Sequence, residues 1–212
     1  MIFKDRKEAG EKLAGALGIY KDKKTVVYAL PRGGVVLGRE IADRLNAPLD
    51  LLFVGKITHP SSPEYAVGAV SESGGVVLNR QELSGLSNQW LEETKKAKRE
   101  ELRERREKYL AGRLPFSPKN KIAIIVDDGL ATGLTMKAAI NELKRFHPKK
   151  IVITVPVGPK DTVAELAPFV DEIVVLDAPV FFEGAVGAYY ENFPQLSDEE
   201  VMAMLPAIKV LE

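Results

Sequence analysis

Two adjacent carboxylates, Asp127 and Asp128, close an apolar run in the stretch "IIVDDGLATGLT" (124–135), and six of the next seven residues, Gly129, Leu130, Ala131, Thr132, Gly133 and Thr135, form a loop rich in small and hydroxyl side chains. Small residues let backbone N–H groups come close to an anion, and a helix beginning in such a loop adds the positive end of its dipole. The hydroxyls of Thr132 and Thr135 can donate to the same oxygens. Each hydrogen bond to a charged group contributes on the order of 1.5–3 kcal/mol. A phosphate suits the loop but is repelled by two bare carboxylates. The carboxylates require a neutral, donor-rich partner such as vicinal hydroxyls, or an intervening metal. A ribose carrying a 5-phosphate satisfies both halves. An isolated D-D-G reads as an ordinary strand-to-helix turn; the full pattern of apolar strand, two acids, three residues and T-G-x-T favours a ligand.

Two further turns carry polar chemistry. "PRGG" (31–34) combines Pro31, Arg32, Gly33 and Gly34. The planar guanidinium of arginine suits bidentate phosphate contact, and the glycines permit close backbone approach. "GKITHPSSPEYAVGA" (55–69) opens with Lys56 at a strand end, where a cation can reach an anion, and carries His59 and Glu64 in a segment rich in Pro and Ser. That segment reads as a loop able to fold over a substrate and exclude water. Each turn taken alone has a plain structural reading as a solvated loop.

The elements that must position these turns follow from periodicity. "TVVYAL" (25–30) is a strand, "VVLGREIADRLN" (35–46) a helix and "DLLFVGKI" (50–57) a second buried strand, which makes a βαβ unit. Residues 58–75 read mostly as loop around a short strand at "AVGAV", and "GVVLN" (75–79) as another short strand. A long charged helix spans 88–113, with a thin apolar stripe through Leu91, Leu102 and Tyr109. Between 92 and 108 it carries both signs of charge in i,i+4 register, so a solvated face is expected. The stripe needs a partner: the site, or a second subunit in a homodimer. Strands at 122–128, 150–158 and 171–178 alternate with helices at 133–146 and 160–170, and a short capped helix follows Ser197.

The expectation is an α/β fold with an open, mostly parallel five-stranded sheet and helices on both faces. The sequence reads as a single domain over 1–212, with a core of about 20–58 and 120–178, an insertion of about 58–115 and a C-terminal segment of about 179–212. Ligands of such sheets sit beyond the carboxyl ends of the strands, which sends all three turns to one crevice.

Composition narrows the function classes. Lys plus Arg and Asp plus Glu both number 30, so no global field draws in DNA or an anionic membrane. The absence of cysteine excludes disulfides, thiolate metal sites and Cys nucleophiles. The N-terminus is too charged for a signal peptide, and no apolar run approaches the roughly 18 residues of a membrane span, so a cytoplasmic protein is expected. No G-x-x-x-x-G-K-[ST], G-x-G-x-x-G or G-x-S-x-G occurs.

"IIVDDGLATGLT" resembles the phosphoribosyl pyrophosphate (PRPP) signature of the type I phosphoribosyltransferases. That resemblance implies that Asp127 and Asp128 hold the ribose hydroxyls and that the loop through Gly129, Leu130, Ala131, Thr132, Gly133 and Thr135 wraps the 5-phosphate. "LPRGG" is similar to the family's pyrophosphate loop, often marked by a non-proline cis peptide, here expected beside Arg32. Arg32, Lys56 and Glu64 become the catalytic candidates. The implied reaction displaces pyrophosphate from PRPP with a nitrogen nucleophile, a nucleobase or other small-molecule acceptor. Mg²⁺ is the implied cofactor, held by substrate and water rather than by a protein cage. The 6-oxopurine members place an Asp just before T-G, where this sequence has Ala131. The tail "VFFEGAVGAYYENF" (180–193) resembles the base-binding hood of the purine enzymes, implying Phe181 or Phe182 as a stacking surface and Glu183 as a partner for an amino group. A PRPP-binding regulator without transferase activity fits the same motifs.

Overall fold

The computed structural model describes residues 1–205, and for Pro63, Glu64 and Arg80 the backbone alone. The core is a five-stranded sheet built from β1 (Thr25–Ala29), β2 (Leu49–Leu51), β6 (Ile122–Val126), β7 (Lys150–Val157) and β8 (Glu172–Asp177), in the order β2-β1-β6-β7-β8. Every neighbouring pair is parallel. The apolar runs show no alternation because both faces are covered. Val27, Ala29, Ile124 and Val126 pack on one face with Leu13 of α1 (Arg6–Ala16) and Leu37 and Ile41 of α2 (Gly34–Leu45). Val26, Tyr28, Ala123 and Ile125 pack on the other with Met136 and Ile140 of α4 (Leu134–Lys144) and Leu166 of α5 (Lys160–Leu166). Burying one such aliphatic side chain contributes about 1.5–3 kcal/mol. The expected α/β architecture is therefore present, with its five strands in a single parallel sheet.

The region 50–79 differs from the expectation. The run 50–57 is not one strand: β2 stops at Leu51, and β3 (Val54–His59) leaves the parallel sheet. It pairs antiparallel with β4 (Ser62–Ser71), and β4 pairs with β5 (Val76–Leu78) to complete a separate three-stranded sheet. The segment expected to be loop is thus mostly a ten-residue strand. Its Pro, Ser and Gly content hides it, because one of those residues serves close packing rather than a turn. A Cβ on Gly68 would lie 2.6 Å from the Val77 carbonyl oxygen, so the β4–β5 pair admits no side chain there.

The long helix α3 (Asn88–Leu110) starts on a Ser87 cap, whose hydroxyl accepts from the Trp90 amide at 3.1 Å. Its stripe buries Leu102, Tyr109 and Leu110 against the three-stranded sheet, with Tyr109 edge-on to Phe53 at 5.9 Å between centroids. Leu102 and Tyr109 of the expected stripe thus find cover within the chain, while Leu91 is only partly buried. The C-terminal segment returns to the N-terminus: the Phe3 amide donates to the Tyr189 carbonyl at 2.8 Å, and Phe3 forms a parallel bridge to Tyr190. A capping box on Ser197 and Glu200 opens α6 (Asp198–Met204), as expected. The last seven residues of the segment expected at 179–212 lie outside the described residues. Among the described residues no helix is long and apolar enough to cross a membrane.

Candidate functional site

Strand register brings the two glycine turns together. Ala29 lies opposite Val126 in the β1–β6 pair, so the turns after these strands emerge side by side. The Leu30 amide donates to the Val126 carbonyl at 3.0 Å. A Cβ on Gly33 would fall 1.8 Å from Asp128 Oδ2, and one on Gly34 would fall 2.7 Å from the Val126 oxygen. Glycine is required at Gly33 because the backbone lies directly on the carboxylate. The Pro31–Arg32 peptide is cis, as expected beside Arg32.

Beyond the end of β6 lies a cavity of about 170 Å³. Asp127 and Asp128 line it, together with the whole loop Gly129, Leu130, Ala131, Thr132 and Gly133, then Thr135. Gly133 is in the left-handed region at φ 71° and turns the chain into α4, whose first turn receives no side-chain cap. An uncapped helix start beside a small-residue loop leaves amide donors for an anion. Lys56 reaches the same cavity and supplies a cation, although it comes from β3 of the antiparallel sheet and not from the end of a parallel strand. Val186, from the C-terminal segment, closes one wall.

The two acids differ in their surroundings. The Asp128 carboxylate accepts from Arg6 Nε at 2.8 Å, and its carbonyl accepts from the Tyr190 hydroxyl at 2.7 Å. Among the described residues, the Asp127 carboxylate accepts only the adjacent Asp128 amide, through Oδ1 at 2.9 Å. Burial pushes the Asp127 carboxyl well above the ordinary range, and the neighbouring Asp128 charge pushes the same way. Burial also raises Asp128, with the Arg6 guanidinium opposing the rise. The arrangement offers hydroxyl-accepting carboxylates beside an anion-accepting loop.

The remaining expected residues are placed less simply. The turn that carries Arg32 meets the acidic pair through Gly33 and Gly34, but the Arg32 guanidinium lies 3.8 Å from Asp198 Oδ1 and does not line the cavity. Asp198 also accepts from Lys108 Nζ at 2.6 Å and from the Tyr109 hydroxyl. His59 closes β3 and accepts the Ser61 amide through Nδ1 at 3.2 Å, in a hairpin and not a long loop. The Glu64 backbone belongs to β4, and its side chain lies outside the described residues. Phe182 stacks on Tyr189 at 5.1 Å, whereas Phe181 is 90% exposed. The Glu183 amide donates to the Tyr189 hydroxyl at 3.1 Å. Three residues of the site, Arg6, Val186 and Tyr190, do not stand out in the sequence. Arg6 sits in "FKDRKEAGEK", where one charge among many carries no signal. Val186 and Tyr190 belong to a tail whose aromatics suggest base stacking instead.

The sequence profile of the family described as "Phosphoribosyl transferase domain" matches residues 4–185. A Mycobacterium tuberculosis protein named "Putative phosphoribosyl transferase Rv0571c" is 43% identical over 206 residues, covering 96% of this chain and 46% of its own length. The chain thus spans about half the length of the curated relatives it matches. The crystal structure of TT1426 from Thermus thermophilus superposes with a TM-score of 0.81 at 40% identity, covering 97% of this chain and 98% of that one. The adenine phosphoribosyltransferase of Bacteroides fragilis is 51% identical over 35 residues, which is 16% of this chain and 20% of that protein.

Proposed function

Because the chain belongs to the phosphoribosyl transferase domain family, we propose that it transfers the 5-phosphoribosyl group of PRPP to a nitrogen nucleophile, with a nucleobase as the acceptor class and pyrophosphate as the leaving group. One observation carries the reading: a single cavity holds the Asp127 carboxylate, whose only donor among the described residues is the adjacent amide, the uncapped loop from Gly129 to Gly133 and the Lys56 cation. A ribose 5-phosphate matches the first two and a diphosphate the third.

In this reading the loop amides and the hydroxyls of Thr132 and Thr135 bind the 5-phosphate. Asp127 and Asp128 accept the ribose hydroxyls. That grip fixes C1 relative to the acceptor and to the departing diphosphate. The bond from C1 to the diphosphate oxygen breaks as the acceptor nitrogen bonds to C1, and the ring gains oxocarbenium character. Negative charge accumulates on the leaving diphosphate, where Lys56 opposes it. Ala131 has no proton to give or take, so the acceptor must lose its proton elsewhere.

The donor chemistry also suits Mg²⁺ arriving with the substrate. Among the described residues no cluster of three metal-ligating side chains exists. The diphosphate oxygens and water would then hold the ion, with both carboxylates left to the ribose hydroxyls. When bound, the ion supplies charge neutralisation on the leaving group.

Isothermal titration of PRPP with Mg²⁺ should show saturable binding, and a nucleobase panel should then reveal pyrophosphate release with at least one acceptor. A second reading, a PRPP-binding regulator, is favoured by the Arg32 guanidinium facing Asp198 instead of the cavity. Binding without release for every base would select it. Absence of binding would end both.

A further inference from the structure

The first turn of α1 holds Arg6, only 9% exposed although the residues around it in sequence are mostly charged and solvated. Helix stability does not explain the placement, because a cation in the first turn opposes the helix dipole. The contacts do. Nε donates to Asp128 Oδ2 at 2.8 Å, Nη1 donates to the Pro194 carbonyl at 2.7 Å, and the guanidinium carbon lies 3.6 Å above the Phe193 ring. One side chain thereby joins the N-terminal helix, the C-terminal segment and the acidic pair.

The opposite faces of Asp128 are equally fixed. Gly33 of the pyrophosphate-type turn lies against its carboxylate, and the Tyr190 hydroxyl holds its carbonyl. The charged and titratable groups facing it are Arg6 from α1, Asp127 from the end of β6 and Tyr190 from the C-terminal segment, with Lys56 of β3 across the cavity beside Asp127. Among the described residues no cation makes an ion pair with Asp127. The pair is therefore asymmetric, with one acid clamped and one open.

Building on the phosphoribosyl reading of the cavity, we propose that Arg6 is a positioning residue for it: Arg6 clamps Asp128 in the orientation from which this carboxylate accepts a ribose hydroxyl. Two half-buried carboxylates on adjacent residues resist carrying two charges. A guanidinium on one of them relieves that repulsion and leaves the second acid free for the ligand. The clamp also makes the shape of the ribose site depend on residues 193–194, far along the chain.

The test compares wild type, Arg6→Gln, Arg6→Lys and Phe193→Leu by PRPP–Mg²⁺ titration calorimetry between pH 6 and pH 8.5, and by carboxylate ¹³C NMR titration without ligand. Loss of Arg6 raises the protonation midpoint of Asp128, so affinity is lost as pH falls through a higher value than in wild type. Arg6→Gln should bind PRPP about tenfold more weakly at neutral pH, with a larger deficit at pH 6 than at pH 8.5. Arg6→Lys should restore the midpoint more than the affinity, since lysine keeps the charge and loses the fixed fork. Phe193→Leu keeps the ion pair and should leave the midpoint in place. A folded Arg6→Gln with wild-type affinity and an unmoved Asp128 midpoint overturns the proposal. Should Arg6→Gln fail to fold, an Arg6→Lys protein identical to wild type in affinity at every pH does the same. A wild type that does not bind PRPP defeats the phosphoribosyl reading and, with it, the ribose role given to Asp128; a shifted Asp128 midpoint in that case assigns Arg6 to structure alone.

Discussion

Asp50, on a strand of the parallel sheet, and Asp127, one residue past the end of another, have opposite fates. Asp50, on β2, is fully buried and has all its needs met: it accepts the Leu51 amide at 2.8 Å, the Phe116 amide at 2.7 Å and Arg113 Nη2 at 3.3 Å. It ties the linker after α3 to the sheet edge. Asp127, past the end of β6, receives one amide from its own neighbour and faces a cavity. The difference teaches that residue type and sheet position do not make a carboxylate functional. What matters is whether the rest of the chain supplies its donors or leaves them to a ligand. An acid left open at a cavity is destabilising until the ligand arrives, which is why perturbed groups gather at sites.

The sharpest way to break this contrast is Asp50→Ala. Removing the buried carboxylate that pairs with Arg113 and takes the Leu51 and Phe116 amides should cost about 3–5 kcal/mol, read as a lowered urea midpoint, while PRPP affinity per folded molecule stays unchanged. Asp127→Asn should do the reverse and weaken PRPP binding about 100-fold, or about 2.7 kcal/mol, by calorimetry, with no loss of fold. Equal damage to stability from both changes would erase the distinction. Lys56→Ala should slow pyrophosphate release about tenfold at saturating PRPP, without altering the melting temperature, since Lys56 is exposed and lines only the cavity.

A smaller effect follows from protonation. The Asp127 carboxyl is raised in the folded state above its unfolded value of about 3.9. A raised native value means that the fold holds the proton more tightly than the unfolded chain does. The stabilisation from this group is complete below the unfolded value and is lost as pH rises through the native one. Asp127→Asn should therefore melt higher than wild type near pH 8, with the difference vanishing below about pH 4. Parallel melting curves for the two proteins would show that Asp127 is not held open. The smallest expected effect is that of Phe181→Ala. At 90% exposure the ring should change stability by no more than about 0.5 kcal/mol, so any change in acceptor KM isolates a contact with the base.

Much of the site is legible in the sequence because its chemistry is local. The residues from Asp127 to Thr135 occupy one turn, and their types alone pair hydroxyl acceptors with an anion loop. Arg32 illustrates the limit of that reading. Its turn lies beside the acids, as the strand order implies, but the direction of its guanidinium depends on Asp198, which lies across the fold. Phe182 likewise stacks on Tyr189, a choice no spacing rule could make.

The strands of the parallel sheet apart from the early stop of β2, the helices between them and the acid-and-glycine turn at the end of β6 were set by local pattern: runs of apolar residues need cover on both faces, and glycine permits what other residues forbid. Tertiary structure alone decided that residues 54–59 leave the parallel sheet for an antiparallel one, since an apolar run does not say which neighbour it will pair with. It alone decided that Arg6 reaches Asp128 across 122 positions of sequence. Hydrogen bonds and ion pairs between distant residues form only after the chain has collapsed around its core, so nothing near either partner in the sequence announces them.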